Sequence, residues 1–337
     1  MMSMYTAVSE VVSPVYLVGG SVRDSIMGRE CDDYDFATSL NPDDIEAAVH
    51  AAGKHAYTVG KRFGTIGFKV NGRKVEVTTF RQERYEKSSR KPTVEFVGDI
   101  TSDLSRRDFT INALAFRSHI IDPFNGRDDI ENGVIRAVGN ARSRFKDDPL
   151  RMLRAARFAA QFGFTVAPET IDAGRRLCHR ILMVSRERWV MELDKLLLSD
   201  KPSVGLRVLA EMDVLRYVLP HINLQVGYDQ NSCYHSLELW EHTLAVVDGV
   251  PADIELRWAA LLHDIGKPYV RQEKVGRSIY VKHDLLGAEL VAQVASYLKW
   301  PNARSENVYA LVRDHLLGNS PLKAADDAGK RHSGEVL

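Results

Sequence analysis

Residues 17–36, LVGGSVRDSIMGRECDDYDF, constrain this chain more than any other stretch. Tyr16-Leu17-Val18 is short, apolar and β-prone, and Gly19-Gly20 follows at once, so the spacing predicts a strand, a tight turn and a helix. Glycine lets backbone N–H groups come close to a phosphate and form an anion-binding concavity. Ser21 adds a hydroxyl at the predicted helix start, where the helix dipole also favours anions. Asp33-Tyr34-Asp35-Phe36 comes next. Residues two apart on a strand point to one face, so Asp33 and Asp35 are expected side by side. Two aligned carboxylates repel unless a cation lies between them, and hard oxygen ligands suit Mg²⁺. A phosphate cradle beside a two-carboxylate metal site is what nucleotidyl transfer requires. Alone, Gly-Gly is a turn and Asp-x-Asp a solvated face; their order and spacing together carry the reading.

With 337 residues, 45% hydrophobic and 27% charged, the chain is long enough for two or three domains with sizeable cores. Lys+Arg and Asp+Glu are 45 each, so any nucleic-acid contact must come from local clustering of basic residues rather than net charge. Cys31, Cys178 and Cys233 are widely spaced, form no zinc pattern and point to a reducing compartment. No apolar run reaches membrane-spanning length, and the N-terminus lacks a basic segment followed by an apolar one. A cytoplasmic protein without a membrane partner is expected. The oligomeric state is left open.

Asn41-Pro42 reads as a helix cap and first helical position, with Gly53 as the stop. Residues 57–59, 65–70 and 74–80 read as strands, with Asn71-Gly72 a hairpin turn. The expected fold is α+β, with a mostly antiparallel or mixed sheet. Glu76, on the hairpin's second strand, either adds a third carboxylate to the Asp pair or is an ordinary strand-face residue. Residues 81–92 are polar, charged and aperiodic, and read as a flexible loop. In DLSRRDFTINAL, residues 103–114, Arg106 and Arg107 can grip phosphate oxygens. Asp108 can orient one of them, and Asn112 can hydrogen-bond a ribose hydroxyl. The other reading is a helix start with surface charges. Residues 121–130, IDPFNGRDDI, read as a strand and turn.

Asp148-Pro149 reads as a second helix start, with Asp148 as its cap. Arg151, Arg154 and Arg157 then recur every three residues as a basic stripe. Asp148 and Arg151, facing one way, can accept from an exocyclic amine and donate to a neighbouring acceptor. Cytosine and adenine both carry that pattern on their pairing edge, while guanine and uracil present the reverse. Such a pair selects C and A without a template. Residues 165–225 read as helices with apolar cores. Further on, His242, the His263-Asp264 dyad, His283 and His315 are candidate ligands for a divalent metal, leaving a water for hydrolysis.

The string LVGGSVRD…DDYDFAT resembles the nucleotidyltransferases of the DNA polymerase beta superfamily. Within them it looks like the class II tRNA nucleotidyltransferase and bacterial poly(A) polymerase branch, and DLSRRDFTINAL is a specific string of that branch. The family's Glu-Asp-x-x-Arg motif is matched by residues 147–151, with Asp147 in place of the leading Glu. The resemblance implies a metal site of Asp33, Asp35 and Glu76 holding Mg²⁺, with Asp33 and Asp35 catalytic. It implies a nucleotide site of Gly19, Gly20, Ser21, Arg23, Arg106, Arg107, Asp108, Asn112, Asp148, Arg151, Arg154 and Arg157. Residues 81–92 would take part in switching nucleotide choice.

The histidine series resembles the HD superfamily of metal-dependent phosphohydrolases, which implies a second divalent metal on His242, His263 and Asp264. The completing acid is open between Asp284 and Asp314. The expected layout is a head domain over 1–140, a helical neck over 141–225, an HD domain over 226–320 and a disordered tail over 321–337. Family members usually continue with a helical body that grips RNA; here only a polar stretch follows His315. The implied function is template-independent addition of C and A to tRNA 3′ ends from CTP and ATP. The alternatives are poly(A) addition to other RNAs, or 2′,3′-cyclic phosphodiesterase or phosphatase action by the HD domain. A non-catalytic RNA-binding role is opposed by the intact carboxylate pair.

Overall fold

A computed structural model of the chain describes residues 2–31, 33–84, 93–231, 238–274 and 276–331. Two units emerge, Met1–Asp148 and Pro149–Leu337. The first carries the strands β1 (Tyr16–Val18), β2 (Asp35–Thr38), β3 (Thr65–Val70), β4 (Arg73–Thr79), β5 (Arg81–Arg84), β6 (Thr93–Phe96), β7 (Ala115–Phe116) and β8 (Ile120–Ile121). Six of them form one mixed sheet in the order β3-β4-β2-β1-β7-β8. Only β2 and β4 run parallel; the other pairs are antiparallel.

Local chemistry accounts for the frame. Asn71 and Gly72 both take positive φ, 50° and 76°, as a two-residue turn between twisted strands requires. β3 and β4 then pair from Thr65↔Thr78 to Val70↔Arg73. The helix Pro42–Ala51 starts at Asn41, whose Oδ1 accepts from the Asp44 N–H at 2.9 Å, and gives way at Gly53 with φ +68°. Its Ile45 and Val49 pack with Leu17, Phe36, Ile66, Phe68, Val75 and Val77 into the main core. A smaller core gathers Val18, Ala37, Phe80, Leu104 and Val138.

Several expectations change in this unit. Residues 57–59 make no strand: Tyr57 forms one isolated bridge to Gly67, and Val59 is 96% exposed with no apolar layer to join. Residues 81–84, expected in a loop, form β5 and pair antiparallel with β6 at 93–96; residues 85–92, and Cys233, lie outside the described residues. After β8, the helix Gly126–Glu131 follows the turn at Asn125, which takes φ +58°. Asp148 is not the N-cap of the helix that follows it, but the C-cap residue of the one before. It follows the helix Ala141–Asp147 in extended backbone, φ −140° and ψ 105°, and the next helix begins at Arg151 without a capping side chain.

The second unit is mostly helical, with one short antiparallel pair, Gln272–Lys274 and Arg277–Ile279. Arg151–Phe162 packs on Pro202–Glu211 at Gly205, where a Cβ would lie 2.5 Å from the Ala156 carbonyl oxygen. Arg186–Leu197 joins them, and its Asp194 accepts from Trp258 Nε1 at 2.8 Å and pairs with Arg304 at 2.9 Å. Further helices are Pro168–Leu177, Leu239–Gly249, Ile254–Leu262, His283–Leu298 and Asn302–Arg313. Part of the expected disordered tail is ordered: Lys323–Arg331 is a helix in which Asp326 is 3% exposed, beside fully buried Leu322, while residues 332–337 lie outside the described residues. The polar composition of that stretch concealed its single inward face. No helix among the described residues is long and apolar enough to cross a membrane.

Candidate active sites

In the first unit, β1 ends at Val18, directly opposite Asp35 of β2. Gly19 turns the chain at φ +75° and ψ −134°, and its N–H donates to the Leu114 carbonyl at 3.0 Å. A Cβ on Gly19 would lie 2.6 Å from Arg107 Nη1, so the glycine is what lets the guanidinium approach the turn. Ser21 is buried and donates to the Val18 carbonyl at 3.1 Å, so its hydroxyl fastens the turn.

The two aspartates are placed differently from expectation. β2 begins at Asp35, and Asp33 lies in the irregular lead-in, so strand alternation does not set their relation. The carboxylate that strand geometry does set beside Asp35 is Glu76: the two are in register on the parallel pair β2 and β4. Glu76 is half exposed and pairs with Lys74 at 2.8 Å. The Asp35 carboxyl is held above its ordinary range, first by loss of water around it, then by the negative charge of Asp33; Arg107 opposes this and Glu76 adds to it. Asp33, Asp35 and Glu76 offer carboxylate oxygens alone, the ligand type that suits a hard divalent cation.

Around this edge the polar groups are tightly assigned. Asp103, 1% exposed, pairs with Arg106 at 2.8 Å and Arg107 at 3.5 Å. Asp103 thus takes an orienting role beside that expected of Asp108, which accepts from the Phe109 N–H at 2.8 Å and from Asn112 Nδ2 at 3.1 Å. Asn112 accepts in turn from Arg23, which also pairs with Asp24 at 2.8 Å. The amide expected to meet a ribose is thus built into the turn's support. In the second unit Arg157 pairs with buried Glu192 at 2.5 Å and donates to Gln161 at 2.8 Å, and Arg154 approaches Glu192 at 3.8 Å. The basic stripe is therefore partly a helix-packing device. Arg151 is buried.

A second cluster lies among the later helices. His242, His263, Asp264, His283, His315 and Asp326 are all buried. His242, His263 and Asp326 form one triplet, and Asp264, His283 and His315 another, with the ligand atoms of each within 4.8 Å of one another. The acid left open between Asp284 and Asp314 is neither: Asp326 stands 3.1 Å from His242 Nε2, while exposed Asp314 pairs with Arg313. Asp326 carried no local signal, since it lies on the last helix.

Three rings share one support. His263, His283 and His315 each hold Nδ1 at 2.6–2.7 Å from the carbonyl three residues earlier, those of Ala260, Tyr280 and Val312. A carbonyl only accepts, so Nδ1 carries a proton in each ring, and Nε2 is left to bind a metal through its lone pair or, when the ring is charged, to donate to Asp264. All three Nε2 atoms face Asp264, at 3.1, 3.2 and 3.8 Å, and Lys267 Nζ is 2.7 Å from it.

Burial pushes the Asp264 carboxyl up, but the charges of His263 and Lys267 and the hydrogen bonds of His242 and His263 hold it well below the usual carboxylate range. Burial pushes His242 down, and its hydrogen bonds to Asp264 and Asp326 overcome this, so it ends above its ordinary value. His315 is driven down to about 4 by burial and by the charge of His263. Imidazole and carboxylate ligands gathered in a buried pocket are a donor set for a divalent metal.

Family models match three stretches: "Poly A polymerase head domain" over residues 15–136, "Probable RNA and SrmB-binding site of polymerase A" over 163–225, and "HD domain" over 233–329. The CCA-adding enzyme of Geobacillus stearothermophilus is 37% identical over 319 residues, covering 92% of this chain and 74% of the relative. That of Staphylococcus aureus strain Mu3 is 46% identical over 235 residues, covering 69% of this chain and 57% of the relative. Among solved structures, the Bacillus stearothermophilus CCA-adding enzyme in complex with CTP superposes with a TM-score of 0.60 at 28% identity, over 95% of this chain and 77% of that one.

Proposed function

The chain belongs to the CCA-adding enzyme family, and from that premise we propose that it is a template-independent nucleotidyltransferase that adds C and A to tRNA 3′ ends in the cytoplasm, using CTP and ATP. The observation that carries this reading is the in-register pair Asp35 and Glu76, one strand away from the Gly19 turn and its two arginines. Asp33, Asp35 and Glu76 are the residues that would hold Mg²⁺, which when bound neutralises the triphosphate and activates the RNA 3′ hydroxyl. Arg106 and Arg107 grip the triphosphate, and Gly19 keeps the turn open for it. Asp148 accepts from the amine of C or A and Arg151 donates to the neighbouring acceptor, a proposal that rests on their residue chemistry and on the match of 147–151 to the family motif. The test is to incubate the protein with tRNA lacking its 3′ CCA, supply each labelled NTP singly and together, and sequence the products. Addition of A alone, in long tracts, would favour the poly(A) reading.

A second activity is favoured by the buried His/Asp cluster. Here His242, His263, Asp264, His283, His315 and Asp326 would hold a divalent transition metal, which when bound supplies an activated water for phosphoester hydrolysis. The three backbone-anchored rings keep their Nε2 atoms turned toward Asp264. The readout is release of phosphate or opening of 2′,3′-cyclic nucleotides, dependent on added metal and lost in His263→Ala.

A further inference from the structure

We propose that Phe63 and Phe96 form a stacking platform for the unpaired bases at the 3′ end of the acceptor RNA. The inference rests on the reading of the chain as an RNA nucleotidyltransferase and adds where the growing strand lies. Single exposed apolar side chains are ordinary, but contiguous ones mark a surface that binds. Phe63 is 45% exposed and Phe96 46%, and Val59, in the turn that leads to Phe63, is 96% exposed. A Cβ on Gly64 would stand 2.8 Å from Phe96 Cε1, so the second ring lies directly against the residue that follows the first. Both rings are held from behind. Lys61–Phe63 is a single 3-10 turn closed by Gly64 at φ +88°, and the Phe63 carbonyl accepts from Arg81 Nη1. The Gly64 carbonyl accepts from the Thr79 N–H at 2.9 Å, which hooks the turn to the end of β4. Phe96 stands opposite Arg81 in the β5-β6 pair.

Charge and position select RNA as the occupant. Lys61 is committed to Asp43 and Glu46, at 2.6 and 2.5 Å. Arg62, which is exposed, instead lays its guanidinium 4.5 Å over the centre of the Phe63 ring. Flat rings beside a cation suit a nucleobase beside its phosphate. Stacking reads no sequence, which fits a strand whose last base changes with each addition. Thr79, to which the turn is hooked, lies three residues beyond Glu76 on β4, about 10 Å along the strand. On the other side, the Arg81 N–H donates to Asp103 Oδ1 at 3.2 Å, and Asp103 pairs with Arg106. The rings therefore adjoin both the metal edge and the phosphate-binding arginines without overlapping either. That is the place of the strand that ends at the metals, not of the incoming nucleotide.

Titration of the full chain with a short single-stranded oligoribonucleotide ending in CC, without nucleotide, tests the platform. Phe63→Ala and Phe96→Ala are each expected to weaken RNA binding about tenfold, the size of losing one base stack. CTP affinity, measured by calorimetry without RNA, and the melting curve should stay at wild-type values. Phe63→Tyr keeps a π-face and should bind RNA as wild type does, whereas Phe63→Leu, apolar but not flat, should bind as weakly as Phe63→Ala. In Phe63→Trp the emission added over the wild-type chain should be quenched by the RNA. Wild-type RNA affinity in both folded alanine variants, equal binding by Phe63→Leu and Phe63→Tyr, or unfolding of every Phe63 variant overturns the proposal. So does loss of self-association in Phe63→Ala with RNA binding intact, which would give the patch to a second copy of the chain. Nucleotide addition by the wild-type chain reports separately on the underlying reading: no addition to tRNA ending before its CCA would refute the transferase, whether or not the rings bind RNA.

Discussion

Gly19→Ala tests the phosphate turn at one atom. The backbone at Gly19, φ +75° and ψ −134°, lies where an L side chain is strained. Holding alanine there costs about 1–3 kcal/mol of stability. The new methyl would also lie 2.6 Å from Arg107 Nη1, so the guanidinium must retreat by about 0.8 Å to reach ordinary contact at 3.4 Å. Misplacing a positioning group by ~1 Å can cost about a hundredfold in turnover, so a loss of at least roughly tenfold in CTP incorporation is expected. Gly28→Ala is the matched control: its φ is +67°, and a Cβ would meet nothing within 4 Å. That variant should lose about 1–2 kcal/mol of stability with CTP incorporation unchanged. Denaturant unfolding and single-nucleotide addition to tRNA ending before its CCA measure both effects. If Gly19→Ala incorporates CTP as fast as Gly28→Ala, the close approach of Arg107 to the turn has no part in the reaction and the cradle reading fails.

Asp35→Asn should abolish nucleotide addition, while Glu76→Gln, altering an exposed acid already paired with Lys74, should reduce it without abolishing it; equal activity in both variants would contradict the parallel-strand metal edge. Asp148→Asn should stay folded, since Asp148 caps the helix Ala141–Asp147 through its backbone N–H, which asparagine keeps, yet relax the preference for CTP and ATP over UTP and GTP by about 1–3 kcal/mol, and unchanged selectivity in a misincorporation assay would remove Asp148 from base choice. His263→Ala should leave nucleotide addition near wild type while bound transition metal, measured by equilibrium dialysis, drops sharply; retained metal would argue against the buried cluster as its site. In metal-stripped protein, His315 is held neutral with its pKa down to about 4, so its contribution is full above the ordinary value of 6.5 and is lost as pH falls from 6.5 toward 4, by about 3 kcal/mol in all. His315→Asn should flatten that acid-side fall in a pH series of unfolding curves, and an unaltered slope would contradict it.

Much of the frame follows from the sequence by local rules. Asn71-Gly72 demands a tight hairpin because both positions take positive φ. Asn41-Pro42 demands a helix start because the side chain satisfies an end N–H, and Gly19-Gly20 after an apolar triplet demands a turn. Each depends on the residue and its immediate neighbours. Two local readings failed where neighbours outside the window intervened. Asp-Pro at 148–149 satisfies the rule for a cap, yet the preceding helix runs to Asp147 and leaves Asp148 extended. The polar stretch after residue 320 looks too hydrophilic to fold, yet one apolar residue, Leu322, and one buried acid, Asp326, suffice where a partner surface already exists. The tertiary structure alone decided the pairings that carry chemistry: Glu76 beside Asp35 through the parallel register of β2 and β4, Asp103 on both arginines, and Asp326 closing the histidine cluster. Residue type can nominate an acid, but which charge it meets depends on desolvation and distance between segments far apart in the chain, and these exist only once the chain has folded.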